Sequence, residues 1–244
     1  MNLERLEKQL SEAVASFWNT RQKQLDKGGG DTQQQYAGTR GAVVGGSHLN
    51  GFIGLVREIL KEGGLKDLDI YPNSKPSVIP GFFRPTKEWD LIVVSRGELV
   101  AAVEFKSQVG SFGNNFNNRV EEALGNATDI HTAYEKGAFA PSREPWVGYL
   151  MLLEECEKST SKLRVQEPHF KVFDEWRDAS YVRRYELFCE KLIRRRLYNA
   201  ACLITSNKQD GPSGRYREPS GEVGFRAFAS SLIGQAVAFS TSRK

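Results

Sequence analysis

The chain is poor in the residues that staple, switch or anchor a protein. It has three cysteines, three histidines and two methionines in 244 residues. Cys156, Cys189 and Cys202 form no C-x-x-C pair, which excludes a disulfide framework and a zinc knuckle. His48, His131 and His169 are equally scattered and read as surface or capping residues, not as ligands. No apolar run approaches the roughly 18 residues of a membrane span. The start, Met1-Asn2-Leu3-Glu4-Arg5, lacks the apolar core of a leader. A reducing, cytoplasmic setting with no membrane partner is expected. Gly45-Gly46-Ser47-His48 does not continue into G-x-x-x-x-G-K-[S/T], so no phosphate loop is read there. Internal repeats are absent as well. Charge of one sign is also scarce, because Lys plus Arg exceed Asp plus Glu by only 34 − 30 = 4. That permits nucleic-acid binding without demanding it, since a basic groove matters more than a total.

What is present is a chain long enough for one sizeable core, so residues 1–244 are read as a single domain. Leu3, Leu6, Leu10, Val14 and Phe17 recur at helical spacing and predict an amphipathic helix over 2–25. A flexible Gly/Gln-rich loop follows near 27–46. Phe52, Leu55, Val56, Ile59 and Leu60 mark a second helix, closed by Gly63-Gly64. Leu68 to Tyr71 is a weak strand, and Pro72 to Pro85, with four prolines, is read as loop. Residues 89–95 and 99–106 predict two strands joined tightly through Ser95 to Glu98. Beyond a Gly/Asn-rich turn, Val120 to Tyr134 predicts a helix, and Trp146 to Leu153 a strand buried on both faces. A basic helix over 181–198 turns Tyr185, Phe188 and Leu192 inward. Ala200 to Thr205 predicts another strand, Asp210 to Gly224 a loop, and Phe225 to Phe239 a closing helix. The order implies an α/β fold, a mixed β-sheet flanked by helices.

The chemistry concentrates in the hairpin. Asp90 and Glu104 interrupt apolar runs, and charges in such a setting are costly unless paired. A divalent cation between the two carboxylates, with Lys106 beside a phosphate, would supply that pairing. Magnesium takes one or two carboxylates plus water and phosphate oxygens, and the backbone carbonyl of Phe105 is a further candidate ligand. Glu104 and Lys106 are two apart and leave the sheet on one face, while Phe105 points into the core. Lys106 can then orient an attacking water or take its proton. Gln108 continues the same face toward water or DNA. The rival reading is a plain salt bridge at a sheet end. Against it, Glu104-Phe105-Lys106 is the only acidic-x-Lys triplet in the chain.

Other residues suit a DNA partner. Asn114, Asn115, Asn117 and Asn118 can bond adenine, and Arg119 a phosphate or guanine edge, although Asn is also common in turns and caps. Arg84 and Lys87 precede Asp90 closely enough to clamp a phosphate. Arg215, Arg217 and Arg226 lie in or beside the late Gly/Pro loop, where basic segments often order on DNA. The helix from Arg183 to Arg196 reads equally as a phosphate track or a solvated face, because Glu186 and Glu190 interleave its cations. Glu58 is either an added carboxylate at the metal or an ordinary helix residue.

Asp90 followed by Glu104-x-Lys106 between apolar strands resembles the PD-(D/E)XK nuclease signature, with Trp89 where a proline is usual. Arg84-Pro85-Thr86-Lys87-Glu88-Trp89-Asp90 and the run from Val103 to Arg119, containing SFGNNFNNR, are similar to XhoI-type restriction endonucleases. So are Glu154 to Ser159 and Ala179-Ser180-Tyr181. The stretch after Lys106 is one residue short of that pattern, lacking a proline before Ser111. The resemblance implies a PD-(D/E)XK restriction-endonuclease-like core. It also implies a homodimeric type II enzyme that uses Mg2+ to hydrolyse double-stranded DNA within a short CTCGAG-like palindrome and leaves 5′-phosphates. A cognate DNA methyltransferase would accompany it. A repair or junction-resolving nuclease, and a DNA-binding protein that does not cleave, remain the alternatives.

Overall fold

In a computed structural model of the chain, which describes residues 3–27, 47–66, 69–72 and 75–242, a five-stranded mixed sheet lies between two layers of helices. The loop expected over 27–46 lies, beyond Lys27, outside the described residues. Helix α1 spans Leu3–Lys27 and buries Leu6, Leu10, Val14 and Phe17, as its apolar spacing predicts. Helix α2, Asn50–Glu62, buries the five residues named for it. Strand β1 is Ile70–Pro72. The Pro72–Pro85 stretch, expected as loop, contains a ribbon of β2 (Val78–Pro80) and β3 (Thr86–Glu88). Three-residue strands carry too little periodicity to register in sequence.

β4 (Leu91–Ser95) and β5 (Glu98–Gln108) form the expected antiparallel hairpin. Only Arg96 and Gly97 lie between the paired Ser95 and Glu98, and both have positive φ (54° and 79°). That is the backbone of a two-residue turn whose twist matches the strands. β5 then pairs in parallel with β6 (Trp146–Glu154), and β6 with β7 (Ala200–Ser206), giving the order β1-β4-β5-β6-β7. Both parallel steps need crossovers. These are α3 (Phe112–Glu135) and α5 (Tyr181–Arg194), with a short α4 (Glu157–Thr160) between β6 and α5.

Strand parity decides which layer each side chain meets. Val103, Phe105, Leu150 and Leu152 pack against α1, α2 and the closing helix α6 (Phe225–Thr241). Ala102, Tyr149, Met151 and Leu153 pack against α3 and α5. α3 begins at Phe112, eight residues earlier than expected, and takes in the whole asparagine run. Phe112, Phe116, Val120, Ala123 and Ala127 continue one apolar stripe, and that packing overrides the weak helix propensity of asparagine.

The three cysteines are free. His131 contacts the Leu197 carbonyl, and His169 is exposed. His48 differs from expectation. It is buried beside the Ser107 hydroxyl, and burial, with Arg21 nearby, pushes its pKa down to about 4. No described helix is long and apolar enough to cross a membrane.

Candidate active site

The site exists because β4 starts late. Its last pair with β5 is Leu91 with Val103, and β5 runs on to Gln108 with that edge uncovered. Asp90, immediately before β4, accepts a hydrogen bond from the Phe105 N–H at 2.8 Å through Oδ2. A strand residue points its N–H and C=O to one side, so the Phe105 carbonyl faces the same open edge. The Phe105 ring lies on the opposite face of the sheet, in the layer with α1 and α2.

Glu104 and Lys106 share the α3 face, as parity requires. Glu104 is only 1% exposed, yet each of its oxygens meets a lysine. Its Oε2 lies 2.7 Å from Lys106 Nζ, and its Oε1 lies 2.7 Å from Lys87 Nζ. Oε1 also accepts from Asn126 Nδ2 on α3 at 3.1 Å. Burial pushes the Glu104 pKa up, but Lys106 and Lys87 outweigh it and hold the carboxyl below its ordinary value. Burial likewise pushes Lys106 down, while Glu104 and Asp90 more than restore it, so Lys106 is an ammonium here. As it stands it donates a proton in hydrogen bonds and has no lone pair with which to act as a base. Asp90 has the looser position, 3.9 Å from Lys106 Nζ. Burial and the Glu104 charge push its pKa up to about 6.

Lys87, expected at the DNA, thus reaches the carboxylates themselves and also lies over the Trp89 ring at 5.1 Å. Asn126 and Asp129, which sequence did not single out, complete the network and hold Arg84, expected above to clamp a phosphate. Asn126 Oδ1 accepts from Arg84 Nη2 at 2.7 Å, and Arg84 Nε donates to Asp129 Oδ2 at 2.6 Å. Asp129 Oδ1 accepts from the N–H groups of Phe82 and Phe83 at 2.7 and 2.8 Å. The β2–β3 ribbon is therefore fastened to α3 at its tip and to Glu104 through Lys87. Asn126 and Asp129 are buried polar residues three apart on an amphipathic helix, which was the available signal.

Other candidates lie elsewhere. Glu58 does not join the cluster. It sits on α2, on the Phe105 side of the sheet, and pairs with Arg5 at 3.1 Å and Lys61 at 2.8 Å. Gln108 is buried with its amide turned onto the Gly110 carbonyl, so it faces no solvent. Asn115 bonds the Ser111 carbonyl of its own helix, whereas Asn114, Asn117 and Asn118 are exposed on α3. Arg119 pairs with Glu122 at 2.7 Å. Arg215 pairs with Asp210, Arg217 with Glu155, and Arg226 with Glu7. The basic face of α5 is largely an ion-pair ladder: Arg183 meets Glu186, Lys191 meets Glu175, and Arg194 meets Glu222.

The donor set suits a hard dication. Two carboxylates and a carbonyl meet at one edge, and Asp90 makes one hydrogen bond there. Magnesium needs no more side chains than these two. Groups of three or more His, Cys, Asp or Glu able to hold a metal are absent among the described residues.

Residues 23–218 match the family described as restriction endonuclease XhoI. The chain is 50% identical over 202 residues to the type II restriction enzyme BstVI of Geobacillus stearothermophilus, covering 80% of this chain and 90% of that one. It is 44% identical over 182 residues to the type II restriction enzyme XhoI of Xanthomonas vasicola, covering 74% and 72% of the two chains. Identity to AbrI of Azospirillum brasilense, another type II restriction enzyme, is 44% over 170 residues, or 68% and 74% of the two chains. No solved structure matches. The chain belongs to the XhoI restriction endonuclease family.

Proposed function

We propose that this member of the XhoI restriction endonuclease family is a type II site-specific deoxyribonuclease in which Asp90 and Glu104 hold Mg2+ and Lys106 positions the attacking water. The observation that carries the reading is the convergence of those three side chains on the uncovered end of β5. Family membership narrows a general metal site to this activity. When bound, Mg2+ would neutralise charge on the scissile phosphate and favour deprotonation of water. Asp90, Glu104 and the Phe105 carbonyl would hold it.

The remaining work falls to the chain. Lys106, fixed by Glu104, donates to the incoming water and steadies charge on the phosphate oxygens. Lys87, paired with the same carboxylate, would swing its ammonium from Glu104 to a phosphate as DNA arrives. Water adds to phosphorus, the bond to the 3′ oxygen breaks, and the products are a 5′-phosphate and a 3′-hydroxyl. A palindrome such as CTCGAG would be met by an isologous homodimer, since the two-fold axes coincide. A cognate methyltransferase would protect the host site.

Plasmid digestion in magnesium tests this. Discrete fragments with 5′-phosphate ends are expected, and Lys106→Ala is expected to lose at least a hundredfold in rate while still binding DNA in calcium. Undiminished cutting by Lys106→Ala overturns its assignment. Smears or junction-only products would indicate a structure-selective nuclease instead.

A further inference from the structure

The segments that follow β5 and β6 enclose a depression that the cleavage chemistry does not use. Its volume is about 580 Å³, and Ser111, Asn114, Lys158, Ser161 and Tyr181 are among its lining residues. Two bonds set its walls side by side. Gly110 N–H donates to Glu154 Oε2 at 2.8 Å, and the Gln108 amide holds the Gly110 carbonyl. Ser111, in the left-handed region at φ 47°, then turns the chain into α3. The floor is a stacked pair, Phe112 on Tyr181, with ring centres 5.5 Å apart and planes 26° apart. A Cβ at Gly113 would stand 3.0 Å from the Tyr181 hydroxyl, so glycine lets that ring sit close.

We propose that this depression, together with α4 and the loop from Ser161 to Phe173, is where duplex DNA is read and gripped: Asn114 and Lys158 contact base edges, and Arg164, Phe170, Lys171 and Phe173 hold the flanking backbone. The proposal rests on the nuclease reading above. Distance supports it first. Ser111 is five positions beyond Lys106, at most about 17 Å of chain. Bases stack about 3.4 Å apart, so the depression is within a few base steps of a phosphate held at the cluster.

Chemistry supports it second. Asn114 is exposed, and its side chain makes no hydrogen bond among the described residues. An asparagine amide matches the N6/N7 edge of adenine, and a lysine the O6/N7 edge of guanine. The cations nearby are mostly spent on acids, as Arg119, Arg177, Arg183, Lys191 and Arg194 are. Lys158, Arg164 and Lys171 form no ion pair among the described residues. Phe170 and Phe173 stand 89% and 78% exposed on the same loop. Bare aromatics beside unpaired cations complement a polyanion with apolar sugar and base surfaces.

The test is fluorescence anisotropy in calcium. The probes are a duplex bearing the sequence at which the wild-type protein cuts plasmid, and a scrambled duplex. Asn114→Ala and Lys158→Ala should each weaken the site duplex tenfold or more and the scrambled one far less. Arg164→Ala with Lys171→Ala should weaken both equally and lower the slope of log K against log salt by about 2. Phe170→Ala with Phe173→Ala should weaken both while leaving the oligomeric state unchanged. All four variants alter exposed positions, so unchanged Tm values are expected and checked. Preserved discrimination in Asn114→Ala and Lys158→Ala overturns the reading role. Conversion of a dimer to a monomer by the phenylalanine pair overturns the arm, marking it as a contact between copies. A wild-type protein that neither cuts at fixed positions nor prefers any duplex refutes the nuclease reading instead.

Discussion

The two faces of β5 share one backbone and have opposite fates. Val103 and Phe105 enter a dry layer against α1, α2 and α6. Glu104 and Lys106, one residue out of step with them, enter a buried network fed by α3 and the β2–β3 ribbon. Neither face is open water, so exposure does not separate them. The partner helix does. α3 presents Asn126 to Glu104, and Arg84 and Lys87 arrive from the ribbon. α2 presents apolar side chains to its layer and keeps Glu58 for its own surface pairs. A charge in a strand thus becomes a site only where the covering layer supplies donors.

The dry face should give the largest effect. Phe105→Ala removes a buried ring from a close-packed layer and should cost about 3–5 kcal/mol in urea or thermal unfolding. A loss below about 1 kcal/mol would mean that the layer is loosely filled and the contrast with the polar face is overdrawn. Asn126→Ala comes next. It unlinks Glu104 from Arg84 and leaves buried polar atoms unpaired, costing about 1–3 kcal/mol of stability. Calcium should also bind the protein more weakly by calorimetry, because Glu104 loses a fixed orientation. Unchanged calcium affinity would reduce Asn126 to a structural part.

Asp90 offers a finer test through pH. Its folded pKa, about 6, lies above the ordinary 3.8, so the folded metal-free protein favours the protonated form. Stability from that form is present at low pH and is lost as pH rises from about 4 through 6. Asp90→Asn imitates the neutral acid. It should raise the Tm of chelator-treated protein at pH 8 by about 2–4 °C, for a gain on the order of 1 kcal/mol, and change little at pH 4. A gain equal at both pH values would trace the effect to packing. The smallest effect is expected from Glu58→Gln, within about 0.5 kcal/mol and without any shift in magnesium requirement. A raised requirement would bring α2 back into the site.

Much of this was legible before the fold. Alternation in 103–106 separates Glu104 and Lys106 from Phe105 without any coordinates, and the structure keeps that separation. Apolar spacing in α1, α2 and α5 names residues that are buried there, apart from the half-buried Leu3, but misses Leu187, Cys189 and Glu190 of α5. The start of α3 was harder, because four asparagines argue for a turn while Phe112 and Phe116 argue for a helix face. Packing decided it. Glu58 shows the limit most plainly: its spacing assigns it to a helix but says nothing of which side of the sheet that helix covers.

The sequence by itself determined the family, the strand that bears the acids, and the parity that puts Glu104 beside Lys106. Those follow from motif strings and a two-residue period, both local properties of the chain. Only the tertiary structure decided that Lys87 reaches Glu104, that Asn126 and Arg84 hold it from behind, and that Gln108 faces inward. Those contacts join residues up to 42 positions apart in different elements, at distances set by how helix and ribbon pack on the sheet. Local periodicity carries no record of such packing.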